Sequence, residues 1–177
     1  MAKNQEPGFH YRLMAFMYKF RDFLAPRKAV PKEAGLKEGF QVLDYGCGPG
    51  SYTGPLAELV GPSGKIYALD SHPLAIKMVE RRAAKKHLAN VITIQSDCQT
   101  GLPDQSLDAA LLFDVFHHLE QPDMVLKELH RVLKPGGILS FSDHHLREGE
   151  IVSGVTKEGF FRLARKGRKT YSFQKID

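Results

Sequence analysis

The chain has 177 residues, of which 42% are hydrophobic and 25% are charged, and its formal net charge is +5. This length predicts one domain with a buried core. Two cysteines are too few for a disulfide framework, and no apolar run reaches membrane-spanning length or forms the core of a signal peptide. We therefore expect a cytoplasmic protein with no membrane span.

The first predicted element is a helix over residues 9–24, apolar around more than half of its circumference. It has two interpretations: a helix packed on a sheet, or a lid over an active site that contacts an apolar acceptor. A role at a membrane surface is disfavoured, because the polar side is narrow and Arg12, Lys19 and Asp22 place both signs of charge on it. We predict an N-terminal helical extension over 1–35 and a second unit over 36–177.

After this segment, apolar strands alternate with helical patterns. Strands are predicted at 41–44, 65–70, 91–95, 108–113 and 138–142, helices at 51–60, 73–87 and 121–133, a loop at 96–105, and a hairpin of strands at 160–164 and 170–175. This order is typical of an α/β, Rossmann-like, doubly wound sheet of seven mostly parallel strands with a C-terminal antiparallel hairpin. Little inserted structure is expected between the fifth strand and the hairpin.

A glycine-rich turn follows the first strand, with Asp44 and then Gly46, Gly48 and Gly50 at every second position. Alternate glycines remove Cβ atoms from one side of a tight turn, so a flat ligand can lie against the backbone. The acid favours a ligand with an ammonium or sulfonium charge over a pyrophosphate. A dinucleotide is disfavoured, because its fingerprint needs two residues between the second and third glycines and only Pro49 stands there.

The whole run from Val42 to Gly50 resembles the first motif of the class I S-adenosylmethionine-dependent methyltransferases: a hydrophobic pair, Asp, any residue, Gly-Cys-Gly, any residue, Gly. The resemblance extends over nearly the whole chain and is greatest to the group that contains ubiquinone and menaquinone biosynthesis methyltransferases and many small-molecule enzymes. It implies S-adenosyl-L-methionine as cofactor. It also implies that Asp44 and the three glycines hold the methionine part.

Further cofactor residues are expected directly after the next strands, where ligands bind in open parallel sheets. Asp70 follows the second strand and can accept from both ribose hydroxyls, or alternatively cap the helix that Pro73 begins. By resemblance, Asp97 accepts from the adenine amine, the backbone N–H of Cys98 donates to the ring, and the carbonyl of Phe113 flanks the methionine end.

His117 and His118 follow the fourth strand, and Asp143, His144 and His145 follow the fifth. Of these, His117 and His144 are the first candidates for a general base. A base is needed only when the acceptor is protonated at working pH. The alternative interpretation is that these side chains cap helices or contact backbone carbonyls. A metal site is disfavoured, because adjacent histidines usually point apart and the i, i+4 spacing is missing.

The predicted function is methyl transfer to a small, partly apolar acceptor. Two alternatives are a non-catalytic S-adenosylmethionine-binding sensor or partner subunit, and an RNA methyltransferase whose basic cluster includes Arg165 and Arg168. Nucleic acid is disfavoured because its binding proteins usually show a broader basic face. Because little inserted structure is expected between the fifth strand and the hairpin, quinone precursors are disfavoured as acceptors. We expect the acceptor pocket to be completed by the N-terminal helix or by a second subunit in a homodimer.

Overall fold

The computed structural model describes residues 29–176; the predicted helix over residues 9–24 lies outside this part. The strands are β1 (Gln41–Tyr45), β2 (Lys65–Asp70), β3 (Val91–Gln95), β4 (Leu107–Phe113), β5 (Leu133–Ser142), β6 (Phe161–Lys166) and β7 (Tyr171–Lys175). The helices are α1 (Ala29–Glu33), α2 (Thr53–Val60), α3 (Pro73–Lys85), α4 (Pro122–Val132) and α5 (Glu148–Thr156), with a 3-10 turn at Phe116–His118.

The strands form one seven-stranded sheet in the order β3-β2-β1-β4-β5-β7-β6. The first five strands pair in parallel, and β7 pairs antiparallel with both β5 and β6. The predicted fold class is therefore confirmed. The strand order reverses between β1 and β4, which opens a crevice at the carboxyl ends of the central strands.

The sheet is covered on both faces, so β4 is buried along almost its whole length. Its alternate residues face opposite layers: Leu112 belongs to the core cluster that contains Leu129 of α4, and Leu111 to the cluster that contains Leu56 of α2. This two-sided packing fixes where each strand ends, and therefore where the residues after it are placed.

Helix α5 was not predicted, and the expectation of little inserted structure between the fifth strand and the hairpin is wrong. Only Ile151 and Val155 of this nine-residue helix are buried, and Gly149 and Gly154 weaken its helical pattern. The carboxylate of Glu150 accepts from the backbone N–H of Arg147 at 2.7 Å, which stabilises the first turn.

The turn between β6 and β7 binds the end of α1. The Glu33 carboxylate accepts from the backbone N–H groups of Arg168, Lys169 and Thr170 at 3.1, 2.8 and 3.1 Å. The Arg165 guanidinium donates to the backbone carbonyl of Glu33. Part of the basic cluster that suggested RNA binding is thus engaged within the chain. Within the described residues, no helix has the length and apolar character needed to cross a membrane.

Candidate cofactor cleft and histidine pairs

A cleft of about 240 Å³ lies at the carboxyl ends of the central strands. Of the predicted site residues, Gly46, Asp70 and Asp97 line it. The segment after β4 closes one side with His118, which follows β4 as expected, and with Val115, which was not a predicted site residue. Residues that are far apart in the chain meet here because four parallel strands end at the same edge of the sheet.

The glycine turn is built from residues with left-handed backbone angles. The φ angles of Gly46, Gly48 and Gly50 are +70°, +52° and +80°. A Cβ on Gly46 would lie 2.3 Å from Cγ2 of Val115, whereas a Cβ on Gly48 would meet no atom within 4 Å. Gly46 therefore lets the turn approach the segment after β4, and Gly48 leaves open space beside the backbone.

Asp70 connects the end of β2 to the glycine turn. One carboxylate oxygen accepts from the backbone N–H of Gly48 at 2.9 Å, and the other accepts from the N–H of His72 at 2.8 Å. The N-cap residue of α3 is His72, whose Nδ1 accepts from Leu74 N at 3.1 Å. Asp70 thus precedes the cap, and its carboxyl lines the cleft.

Asp44 lies beneath the glycine turn with only 2% of its surface exposed. Burial raises its pKa to about 7, and the negative charge of Asp70 adds to the rise, while the Thr53 hydroxyl, which donates to Asp44 at 3.2 Å, opposes it. The side chain is not part of the cleft lining. Its predicted contact with the cofactor ammonium stays a prediction.

The raised pKa of Asp44 predicts how stability depends on pH. The folded chain keeps the Asp44 proton up to about pH 7, whereas the unfolded chain releases it near pH 3.8. The contribution of Asp44 to the free energy of unfolding is therefore lost as the pH rises between these two values. Relative to Asp44→Asn, the ligand-free protein should lose up to about 3 kcal/mol between about pH 5 and pH 8. Thermal denaturation of both proteins at the two pH values measures this; equal pH dependence would contradict it.

The remaining predicted cofactor residues occupy different surroundings. Asp97 is exposed at the cleft, and its backbone carbonyl accepts from the Tyr45 hydroxyl at 2.8 Å. The backbone N–H of Cys98 donates to the Ser96 hydroxyl at 3.3 Å. Phe113 is buried, with its ring centroid 5.0 Å from that of Tyr52. The carbonyl role predicted for Phe113 and the adenine contacts predicted for Asp97 and Cys98 stay predictions.

Two histidine–aspartate pairs cross between the ends of β4 and β5. Nδ1 of His117 lies 2.7 Å from the carboxylate of Asp143, and Nδ1 of His144 lies 2.8 Å from that of Asp114. The pairing of these histidines with Asp143 and Asp114 was not predicted from the sequence. The signal was present, because an acid and a histidine follow each of these two strands and parallel neighbours end side by side.

The two pairs differ in burial. The Asp143 side chain is fully buried and that of His117 is 17% exposed, whereas the side chains of His144 and Asp114 are 64% and 22% exposed. The ring of His117 also contacts that of its neighbour His118, with centroids 3.9 Å apart and planes inclined by 44°. Burial and the adjacent His117 lower the pKa of His118, which favours its neutral form.

Among residues 29–176, no group of three or more His, Cys, Asp or Glu side chains is arranged to hold a metal ion. His117 is instead held by hydrogen bonding to a carboxylate, which orients the imidazole.

The cleft has the chemistry that a sulfonium cofactor needs. Asp70 and Asp97 supply two carboxyl groups, and no lysine or arginine of the described chain lines it. Such a lining attracts a ligand with an ammonium and a sulfonium charge. The turn at Gly48 leaves room for that ligand against the backbone.

This sheet order and this cleft define a class: the α/β, Rossmann-like methyltransferases. Residues 36–172 match a family described as a methyltransferase domain, and the chain belongs to that family. The predictions of a class I methyltransferase and of S-adenosyl-L-methionine as cofactor are confirmed.

Individual relatives agree with this assignment. The chain is 38% identical to a demethylmenaquinone methyltransferase of Geobacillus stearothermophilus over 73% of its own length and 56% of the relative. It is 34% identical to one of Lactobacillus johnsonii over 77% and 57%. A crystal structure of a SAM-dependent methyltransferase from Aquifex aeolicus matches with 28% identity and a TM-score of 0.77, covering 91% of this chain and 97% of that one. The chain thus spans about half the length of these curated relatives.

Proposed function

We propose that this chain transfers the methyl group of S-adenosylmethionine to a small, partly apolar acceptor. The observation that carries the proposal is the acidic, glycine-lined cleft. The segment after β4 lines this cleft with Val115 and His118 and also carries His117, which pairs with Asp143. The cofactor supplies an activated methyl group on its sulfonium. The protein then has to align the acceptor, exclude water and, for a protonated acceptor, remove a proton.

The cofactor residues have separate roles in this proposal. Asp70 accepts from the ribose hydroxyls, Asp97 and the backbone of Cys98 bind the adenine, and the turn at Gly46 and Gly48 holds the methionine part. Support comes from their placement, since Gly46, Asp70 and Asp97 line one cleft. Asp44 acts from beneath the turn, where its carboxylate contributes negative charge once it is ionised.

His117 is the general base in this proposal. The Asp143 carboxylate accepts a hydrogen bond from Nδ1–H of His117, so in this neutral tautomer Nε2 is free to take the proton of the incoming nucleophile. The buried carboxylate also stabilises the imidazolium that forms. His144 is paired in the same way but is far more exposed, so it is the weaker candidate.

The names of the relatives suggest the acceptor class to test first. Proteins similar to this chain are called demethylmenaquinone methyltransferases, and we propose an aromatic quinol-type acceptor for this chain as well. Quinone precursors were disfavoured because little inserted structure was expected between β5 and the hairpin, but helix α5 occupies this region. In this proposal α5 forms one wall of the acceptor site. The lid role of residues 9–24 and a homodimer that completes the pocket remain proposals.

Replacement of His117 tests the base. His117→Gln should reduce kcat by about 100-fold or more, the usual range for a general base, while the Kd for S-adenosylhomocysteine stays within about twofold. The assay follows transfer of a radiolabelled methyl group to a demethylmenaquinol, the quinone reduced chemically with dithionite beforehand, in detergent micelles. His87→Gln is the control, since His87 is exposed on the turn after α3.

Three outcomes separate the interpretations. Unchanged kcat in His117→Gln would exclude His117 as the base but leave methyl transfer standing. Binding of S-adenosylhomocysteine without methyl transfer to this quinol or to other small aromatic acceptors would favour a non-catalytic sensor. Salt-sensitive RNA binding that weakens in Arg165→Ala and Arg168→Ala would instead favour an RNA methyltransferase.

A further inference from the structure

The loop over residues 96–106, which carries Asp97 and Cys98, contains neither a helix nor a strand. A loop of this kind keeps a defined shape only where its polar groups find fixed partners. Near its start, the carbonyl of Asp97 accepts from the Tyr45 hydroxyl at 2.8 Å. Near its end, the backbone N–H of Ser106 donates to the carbonyl of Val132 at 2.8 Å.

The middle of the loop is held by Glu128 of helix α4. One carboxylate oxygen of Glu128 accepts from both the backbone N–H and the hydroxyl of Thr100, at 2.8 and 2.6 Å. Thr100 is only 3% exposed, so these two donors have little access to water. The Thr100 hydroxyl in turn accepts from the backbone N–H of Leu102 at 3.1 Å, which extends the constraint along the loop.

Arg131, one turn further along α4, fixes the Glu128 carboxylate. Its Nε and Nη2 donate to the two oxygens of Glu128 at 2.8 and 2.7 Å. The same guanidinium contacts Asp104 of the loop, and the Arg131 carbonyl accepts from the backbone N–H of Gln105 at 3.0 Å. Two-pronged pairing of this kind restricts both side chains, so the carboxylate faces Thr100 in one orientation.

We propose that Glu128 is a positioning residue for the cofactor: it acts through Thr100 to keep the Asp97–Cys98 segment in the shape that receives the adenosyl group. The proposal rests on the proposed function of the cleft. Without the carboxylate, the buried N–H and hydroxyl of Thr100 lose their acceptor, and the loop has to open to hydrate them. Part of the binding free energy of the cofactor would then be used to close the loop, and the affinity for the cofactor would fall.

Calorimetric titration of S-adenosylhomocysteine into the whole chain tests this role without any acceptor. Glu128→Ala and Thr100→Val should each weaken binding by about tenfold or more. Thr100→Ser keeps the hydroxyl and should bind within about threefold of the original chain. Asp123→Asn is the matched control, because Asp123 lies on the same helix and pairs with Lys157 at 2.7 Å, away from the loop.

Hydrogen exchange distinguishes positioning from general loss of structure. Amides of residues 96–106 should exchange faster in Glu128→Ala, while those of β1 and β4 keep their protection. With a purified acceptor, the KM for S-adenosylmethionine should rise while kcat at saturating cofactor changes by less than about threefold.

The outcomes also separate this proposal from the proposed function. Equal affinity of the original chain and Glu128→Ala would overturn the positioning role alone. A loss of affinity in Thr100→Ser as large as that in Thr100→Val, or a loss of protection in β1 and β4, would also overturn it. Absence of binding to the original chain would overturn the cofactor site itself and this proposal with it.

Discussion

Gly46→Ala is expected to weaken S-adenosylhomocysteine binding by about 100-fold or more and to lower the melting temperature of the ligand-free chain. Two costs add at this position. The φ of +70° is unfavourable for any residue with a Cβ, and that Cβ would lie 2.3 Å from Cγ2 of Val115. Because Val115 also lines the cleft, relief of the overlap displaces the wall of the site.

Gly159→Ala separates these two costs. Gly159 has nearly the same angle, φ +74°, but a Cβ there would meet no atom within 4 Å, and it does not line the cleft, so this variant reports backbone strain alone, about 1–2 kcal/mol. Gly46→Ala should exceed it in both stability loss and binding loss. Val115→Ala added to Gly46→Ala should restore part of the stability, because it removes the Cγ2 atom. Equal effects of Gly46→Ala and Gly159→Ala would contradict the importance of the close approach to Val115.

Asp70→Asn is expected to reduce cofactor affinity by at least about tenfold. The substitution removes the charge that faces the cleft. It also replaces one acceptor oxygen by an NH2 group, which then faces the backbone N–H of either Gly48 or His72. Asp70 therefore loses one of its two backbone hydrogen bonds, either the one that holds the glycine turn or the one to His72 before α3, in addition to the hydrogen bond expected to the ribose.

The ligand-induced rise in melting temperature measures this effect. A ligand at 100 times its Kd stabilises the folded state by about 2.7 kcal/mol, and tenfold weaker binding halves that value to about 1.4 kcal/mol. Asp108→Asn is the matched control: its carboxylate accepts from Gln41 N at 2.8 Å and pairs with Lys134, but at the amino end of the sheet. An equal ligand-induced shift in Asp70→Asn and the original chain would contradict the ribose role.

Most of the sheet could be predicted because its order follows from local patterns. Alternation of apolar strands and helices identified all seven strands, and the acids and glycines after β1, β2 and β3 marked the cleft. Strand ends were less certain: β5 begins at Leu133 rather than at residue 138, since Leu133 pairs with Leu107 across a register shift. Periodicity cannot show such a shift, because it depends on the neighbouring strand.

The features that were missed depend on contacts between distant residues. Glu128 and Thr100 are 28 positions apart, and nothing in the local pattern of either one shows that they meet. The position of Asp44 beneath the turn, with Thr53 as its hydrogen-bond partner, likewise depends on a residue nine positions away. Sequence indicated which residue types belong at the site, and only the packed structure shows which of them reach the cleft.

The most direct test of this account is calorimetric titration of the purified chain with S-adenosylmethionine and S-adenosylhomocysteine near neutral pH. We expect one site per chain for each ligand, with a Kd of about 10 μM or tighter. Competition between the two ligands should show that they share this site. Absence of heat with both ligands at concentrations of about 1 mM would contradict the assignment of the cleft as a cofactor site.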